Sequence, residues 1–184
     1  MKHDLSRATF IIPIKIESDD RLRNVITSIC FLLDNFETTV MVKEVDEQSR
    51  FVTEALPQIV QFCDNIDGLL HSFEHTTAPT FHRQRVLNDM IMEAKTELVV
   101  NYDCDILLPV GSYLSAYNSI LDNESDVVYP YGDGEYQYRV MADDELVSEF
   151  LSNDFDFSIL EKKSTKYDAK YGFCQFFNRE VYIE

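Results

Sequence analysis

Apolar residues in this chain recur with two periods, and the switches between them divide it into elements. "ATFIIPI", Ala8 to Ile14, is a short apolar run rich in β-branched residues and reads as a buried strand ended by its proline. In "SDDRLRNVITSICFLLDNF", Leu22, Val25, Ile26, Ile29 and Leu33 fall at helical spacing, with Ser18 or Asp19 as N-cap. "TTVMVKEV" repeats the strand signal from Thr38 to Val45, and "RFVTEALPQIVQFCDN" returns to helix, with Pro57 as a break or a new start. "GLLHSFEH" reads as a third, weaker strand. "FHRQRVLNDMIMEAKT" places Val86, Leu87, Met90, Ile91 and Ala94 on one helical face, and it runs directly into the strand "ELVVNYDCD".

"GSYLSAYNSILDN" then predicts a helix and "DVVYPY" a strand. Strands alternating with helices predict an α/β fold, a mostly parallel sheet with helices on both faces. Beyond this point the chain is richer in aromatic and acidic residues, and "YGFCQFFN" is its best strand candidate. With 184 residues, 45% of them hydrophobic, there is material for one domain with a substantial core. No repeat, low-complexity tract or Pro/Gly linker marks a second.

Charge narrows the partners. With 33 acidic against 16 basic residues the formal net charge is −17, which repels nucleic-acid phosphates and anionic lipid at long range. No nucleic-acid partner is expected. Such a chain can still hold an anionic nucleotide, given local arginines, helix N-termini or a bridging cation. Cys30, Cys63, Cys104 and Cys174 form no CxxC pair and sit among apolar neighbours, which predicts buried free thiols in a reducing compartment. No apolar run is long enough for a membrane span and the N-terminus has no signal-like apolar centre, so the expected location is cytoplasmic.

The stretch "ELVVNYDCDILLP" holds the strongest chemical signal, Asp103 and Asp105 at the carboxyl end of a strand. If the backbone stays extended, both carboxylates point to one face. That edge of an open α/β sheet is where ligands bind. Two adjacent ionised carboxylates repel one another, and a hard divalent ion such as Mn2+ or Mg2+, also bound by diphosphate oxygens, would relieve the repulsion. Asp154 and Asp156 repeat the spacing but read as a solvated loop. His71 and His75 read as strand or loop residues.

In this order, strand, helix and aspartate pair resemble a glycosyltransferase of the GT-A (Rossmann-like) fold, family 2-like and close to the β-1,4-galactosyltransferase branch. The resemblance spans about Thr9 to Glu180. "FIIPIKIESDDRL" is similar to the family's first strand and nucleotide loop, placing Pro13 and Lys15 at the nucleotide; Lys15 stands where the branch has arginine. "VKEVDEQSRF" resembles the end of the second strand, where Glu44, Asp46 or Glu47 would face the nucleoside. "FHRQRVLND" resembles the branch segment "FNRA..LN", with Phe81, Arg83 and Asn88 matching, His82 in place of asparagine, and Arg83 implied to contact the phosphates. "YDCDILLP" matches the Asp-x-Asp motif, implying Asp105 as principal metal ligand and Asp103 as its partner toward metal or ribose. "VVYPYGDGEYQYRV" and "YGFCQFFNRE" resemble the tyrosine-rich segment and the strand of the donor-sugar pocket.

The resemblance implies an inverting, metal-dependent transfer of a sugar from a nucleotide diphosphate, expected to be UDP, to a glycan hydroxyl in polysaccharide synthesis. One departure is plain: the family's "W-G-x-E-D" type motif, which supplies the base and acceptor site, is absent, and the chain has no tryptophan. Residues 1–184 are therefore expected to be a single nucleotide-sugar-binding domain that stops short of that motif, with the catalytic residue unassigned. Two rivals remain. A sugar-nucleotide pyrophosphorylase would open with a Gly-rich loop, and this chain has no glycine before Gly68. A non-catalytic α/β module would use the acidic pair only to hold a metal.

Overall fold

The computed structural model of the chain describes residues 2–131, 137–167 and 174–183. The sheet-forming first part runs β1 (His3–Ile14), α1 (Asp19–Asn35), β2 (Phe36–Asp46), a single π-helical turn (Phe51–Ala55) leading into α2 (Leu56–Phe62), β3 (Leu69–His75), α3 (Arg83–Glu93) and β4 (Leu98–Tyr102). There follow α4 (Val110–Leu121), β5 (Val127–Val128), β6 (Gln137–Val140), α5 (Asp144–Ser152), α6 (Phe157–Glu161), β7 (Ser164–Tyr167), β8 (Cys174–Asn178) and α7 (Arg179–Ile183). Residues 132–136 of the tyrosine-rich stretch and 171–173 of the donor-pocket stretch lie outside the described residues.

The main sheet has the order β3-β2-β1-β4-β8-β5. β3, β2, β1 and β4 are parallel, and β8 enters antiparallel to β4 and β5. A mixed, mostly parallel α/β sheet is thus present. Strand alternation sends Phe10, Ile12 and Ile14 to one face, where they meet Val25, Ile29 and Leu32 of α1 and Tyr113 and Ile120 of α4. Ile11 faces the other side and packs with Val86, Leu87, Met90 and Ile91 of α3. Covering both faces explains why β1 is an unbroken apolar run rather than an alternating one. Phe10 anchors the larger core, with ring centroids 5.6 Å from Tyr102 and 5.8 Å from Phe176.

Several expectations are corrected, and two open alternatives are resolved. β1 does not end at its proline but runs to Ile14. Its pairing with β4 finishes at Ile11, so by Pro13 that side is an open edge, where a strand tolerates proline. Ser18, not Asp19, caps α1: its side chain accepts the Arg21 N–H at 3.2 Å, with Asp19 and Asp20 in the first turn complementing the helix dipole. Pro57 starts α2 rather than breaking it, since the first turn needs no N–H there. The predicted last-third strand is β8. The antiparallel β6-β7 pair and the α5 and α6 helices between its strands carry no clear signal in the sequence; α5 and α6 bury Leu146, Phe150 and Ile159 in a small cluster of their own. Asp156 is less idle than a solvated loop residue, accepting the Ser158 N–H at 2.9 Å as N-cap of α6.

Candidate functional site

In the order β3-β2-β1-β4, chain progress reverses direction across the gap between β1 and β4. Such a switch point leaves a crevice at the carboxyl ends of the parallel strands. Ile11 and Asn101 are the last paired positions there, and two residues further on the chains reach Pro13 and Asp103.

The two aspartates do not lie on an extended strand. β4 stops at Tyr102, and a turn follows in which the Ile106 N–H bonds the Asp103 carbonyl at 3.3 Å. The alternation argument for a shared face therefore does not apply: Asp103 opens the turn and Asp105 sits at its exposed crest. The turn is held from behind. Ser28 of α1 donates to the Cys104 carbonyl at 2.7 Å, and the Tyr102 hydroxyl bonds the Ile106 carbonyl. Tyr102 and Tyr113 hydroxyls lie 2.9 Å apart, and Tyr113 also accepts the Leu108 N–H at 3.2 Å. Cys104 is buried in the core, and burial pushes its thiol up to about 12, which keeps it protonated and unreactive. All four cysteines are buried and unbridged.

Arg83, the first residue of α3, reaches across to this turn. Its guanidinium pairs with the Asp103 carboxylate and bonds the Asn101 side chain at 3.1 Å. Burial and the neighbouring Asp105 charge raise the Asp103 carboxyl above its ordinary range, while Arg83 and Arg21 pull it down, leaving a net upward shift. Arg21 did not stand out in the sequence: it lies in the first turn of α1, and only the fold brings its charge to bear on Asp103. Lys15 follows β1 directly, is half-buried, and makes no ion pair among the described residues. An otherwise acidic protein thus brings two arginines to bear on one turn.

The remaining expected residues divide. Pro13 is buried in β1, and Phe81 packs on the α3 cluster beside Ile11 and Val45. Asn88 is exposed and bonded to Gln84 at 3.0 Å on α3. At the end of β2, Glu44 is fully buried and committed to the chain that follows. Its carboxylate accepts the N–H groups of Arg50 and Phe51 at 3.0 and 3.1 Å and the Ser49 hydroxyl. Burial alone would raise its carboxyl, but the His71 ring, whose Nε2 lies 3.6 Å away, and hydrogen bonds from Ser49, Phe51 and Arg50 hold it below the ordinary range. Asp46 accepts the Glu47 N–H at 2.8 Å, and Glu47 is exposed. Of the three acids, only these two present surface at the strand ends. His71 and His75 lie on β3, with His71 stacked on Phe51 at 4.4 Å.

Among the described residues, no group of three or more His, Cys, Asp or Glu side chains is arranged to hold a metal. Mg2+ or Mn2+ needs less from a protein, often one or two carboxylates, with water and phosphate oxygens completing the shell. Asp105 is exposed and without an ion-pair partner among the described residues, so this donor set fits a cation arriving with a diphosphate rather than a protein-built cage. No helix among the described residues is long and apolar enough to cross a membrane.

No family model matches the chain, and no curated protein does. Solved structures do resemble it. A mannosyltransferase from Pyrobaculum calidifontis, in complex with GDP-Man and Mn2+, superposes with TM-score 0.56 at 17% identity, over 95% of this chain and 45% of that one. S. aureus TarS 1-349 is 22% identical over 69% of this chain and 34% of its own, with TM-score 0.47. A CMP:2-keto-3-deoxy-manno-octonic acid synthetase complexed with CTP is 11% identical over 96% and 76%, with TM-score 0.49. The last two scores are too low to bear on this chain, and the chain spans less than half the length of the mannosyltransferase. At such identity the first likeness establishes the architecture and leaves the β-1,4-galactosyltransferase branch unsupported: the chain has a GT-A-like α/β fold.

Proposed function

We propose that the chain is the donor-binding part of a metal-dependent, inverting glycosyltransferase that moves a sugar from a nucleotide diphosphate to a glycan hydroxyl. One observation carries this reading: at the switch point, a turn pinned from behind presents Asp105 exposed beside Asp103, with Arg83 paired to Asp103 and the Arg21 charge also acting on it. Carboxylates for a cation and cations for phosphates are what a negatively charged protein needs to hold a nucleotide diphosphate. The shared fold with a mannosyltransferase solved with GDP-Man and Mn2+ supports it.

In this reading Asp105 is the principal cation ligand, and Asp103, oriented by Arg83 and Asn101, lies between cation and ribose. Arg83 and Lys15 face the diphosphate, and Asp46 or Glu47 the nucleoside, above a floor shaped by Pro13 and Phe81. In the transfer, the bond from the anomeric carbon to the diphosphate oxygen breaks as one to the acceptor oxygen forms. A carboxylate base takes the hydroxyl proton; the chain's base is unassigned. A bound Mn2+ or Mg2+ would offset the charge growing on the leaving diphosphate.

Calorimetric titration with UDP, GDP and their sugars, with and without Mn2+, tests the reading. UDP tests the branch resemblance, and GDP is prompted by the mannosyltransferase complex. Metal-dependent nucleotide binding that falls at least about tenfold, about 1.4 kcal/mol, in Asp105→Asn is expected. Cation binding with indifference to every nucleotide would replace this reading with a non-catalytic module.

A further inference from the structure

We propose that Arg50, seated on the buried carboxylate of Glu44, is a positioning residue that sets the gap between the loops following β1 and β2, and thereby the affinity for the nucleoside. The proposal rests on the donor-site reading above. The two loops, residues 15–18 and 47–49, have no regular structure, and they carry Lys15 and Glu47, with Arg50 at the first helical position after the second. Neither loop is held by a sheet ladder, so something else must fix their separation.

Arg50 spans them. Its Nε and one terminal nitrogen bond both oxygens of Glu54 at 2.7 and 2.8 Å, which aims the guanidinium. That same terminal nitrogen reaches Asp19, in the first turn of α1, at 2.8 Å, and the other lies 3.5 Å from the Ile16 carbonyl. The backbone of Arg50 is meanwhile tied down through its N–H to Glu44 at 3.0 Å. Ser49 shares that carboxylate and accepts the Val52 N–H at 3.2 Å, so the second loop is anchored below and bridged above. The planar fork matters: a lysine ammonium can satisfy one of these groups but not Glu54, Asp19 and a carbonyl together. Ion pairs this exposed contribute little to global stability, about 0–1 kcal/mol, so the clasp acts on geometry more than on folding.

The test compares the intact chain with Arg50→Ala and Arg50→Lys in three measurements. Amide hydrogen exchange over residues 15–18 and 47–49 should quicken in both loops together in Arg50→Ala. Mn2+-dependent UDP binding should weaken about tenfold, about 1.4 kcal/mol, with uridine weakened alike and pyrophosphate unchanged, and Arg50→Lys should restore less than half of the loss. The urea midpoint should stay near wild type. Unchanged UDP binding and exchange in Arg50→Ala would overturn the proposal while leaving the donor site standing. So would equal loss of uridine and pyrophosphate with a lowered midpoint, which is the mark of a merely structural residue. If the wild-type chain ignores UDP and GDP, the donor-site reading fails and the nucleoside half of this proposal fails with it, whatever the exchange shows.

Discussion

Glu44 shows at the residue scale how a side chain's chemistry can be visible and its work hidden. An acid among apolar neighbours near a strand end invites a ligand role, yet this carboxylate has no exposed surface and serves the returning backbone instead. The partners that claim it are main-chain N–H groups, which every residue carries, so no residue pattern announces them. Glu44→Gln removes the charge and leaves one acceptor oxygen, and should cost about 1–3 kcal/mol in urea unfolding at neutral pH. Because the folded carboxyl is held below its ordinary 4.5, its stabilisation is present above that value and is lost as the pH falls through the lower folded one. The glutamine variant should therefore show a shallower loss of stability below about pH 4.5 than wild type, and an equally steep loss would sink this account.

Elements explain why the aspartate pair looked simpler in sequence than it is. The run before Asp103 is apolar enough to be a strand and the residues after it are apolar too, so nothing local marks Tyr102 as the last extended residue. The end is set by hydrogen bonds from other elements, chiefly Ser28 of α1 and Tyr113 of α4. Tyr113→Phe keeps the ring in the core but leaves the Leu108 N–H and the Tyr102 hydroxyl short of a partner. A loss of about 1–3 kcal/mol is expected, with faster amide exchange over residues 103–108; a variant as stable as wild type would show the turn holds itself. The entry to β3 is equally demanding. A Cβ on Gly68 would run into the Thr38 carbonyl oxygen, part of the close approach that lets Gly68 accept the Val40 N–H at 2.8 Å. Gly68→Ala should lower the thermal midpoint by several degrees, about 2–4 °C per kcal/mol lost for a chain of this size, since the obstacle is backbone and cannot swing aside.

Across the whole molecule, a net charge of −17 bears on stability as well as on partners. Like charges repel most in the compact state, and salt screens them, with a Debye length of about 8 Å at about 0.15 M. Raising NaCl from low ionic strength should raise the unfolding midpoint; a fall would mean that attractive pairs such as Arg50–Asp19 outweigh the repulsion.

The apolar periods alone determined the alternation of strands and helices, the parallel sheet and the place of Asp103 and Asp105 at the carboxyl end of a strand, because hydrophobic burial is read residue by residue along a regular element. Tertiary structure decided the rest. It turned β4 into a bend after Tyr102, drew Arg83 and Arg21 toward Asp103, inserted β8 antiparallel beside β4, and spent Glu44 on a loop that Arg50 then ties across. Each of these depends on hydrogen bonds and charge contacts between segments far apart in the chain, whose partners no local pattern specifies.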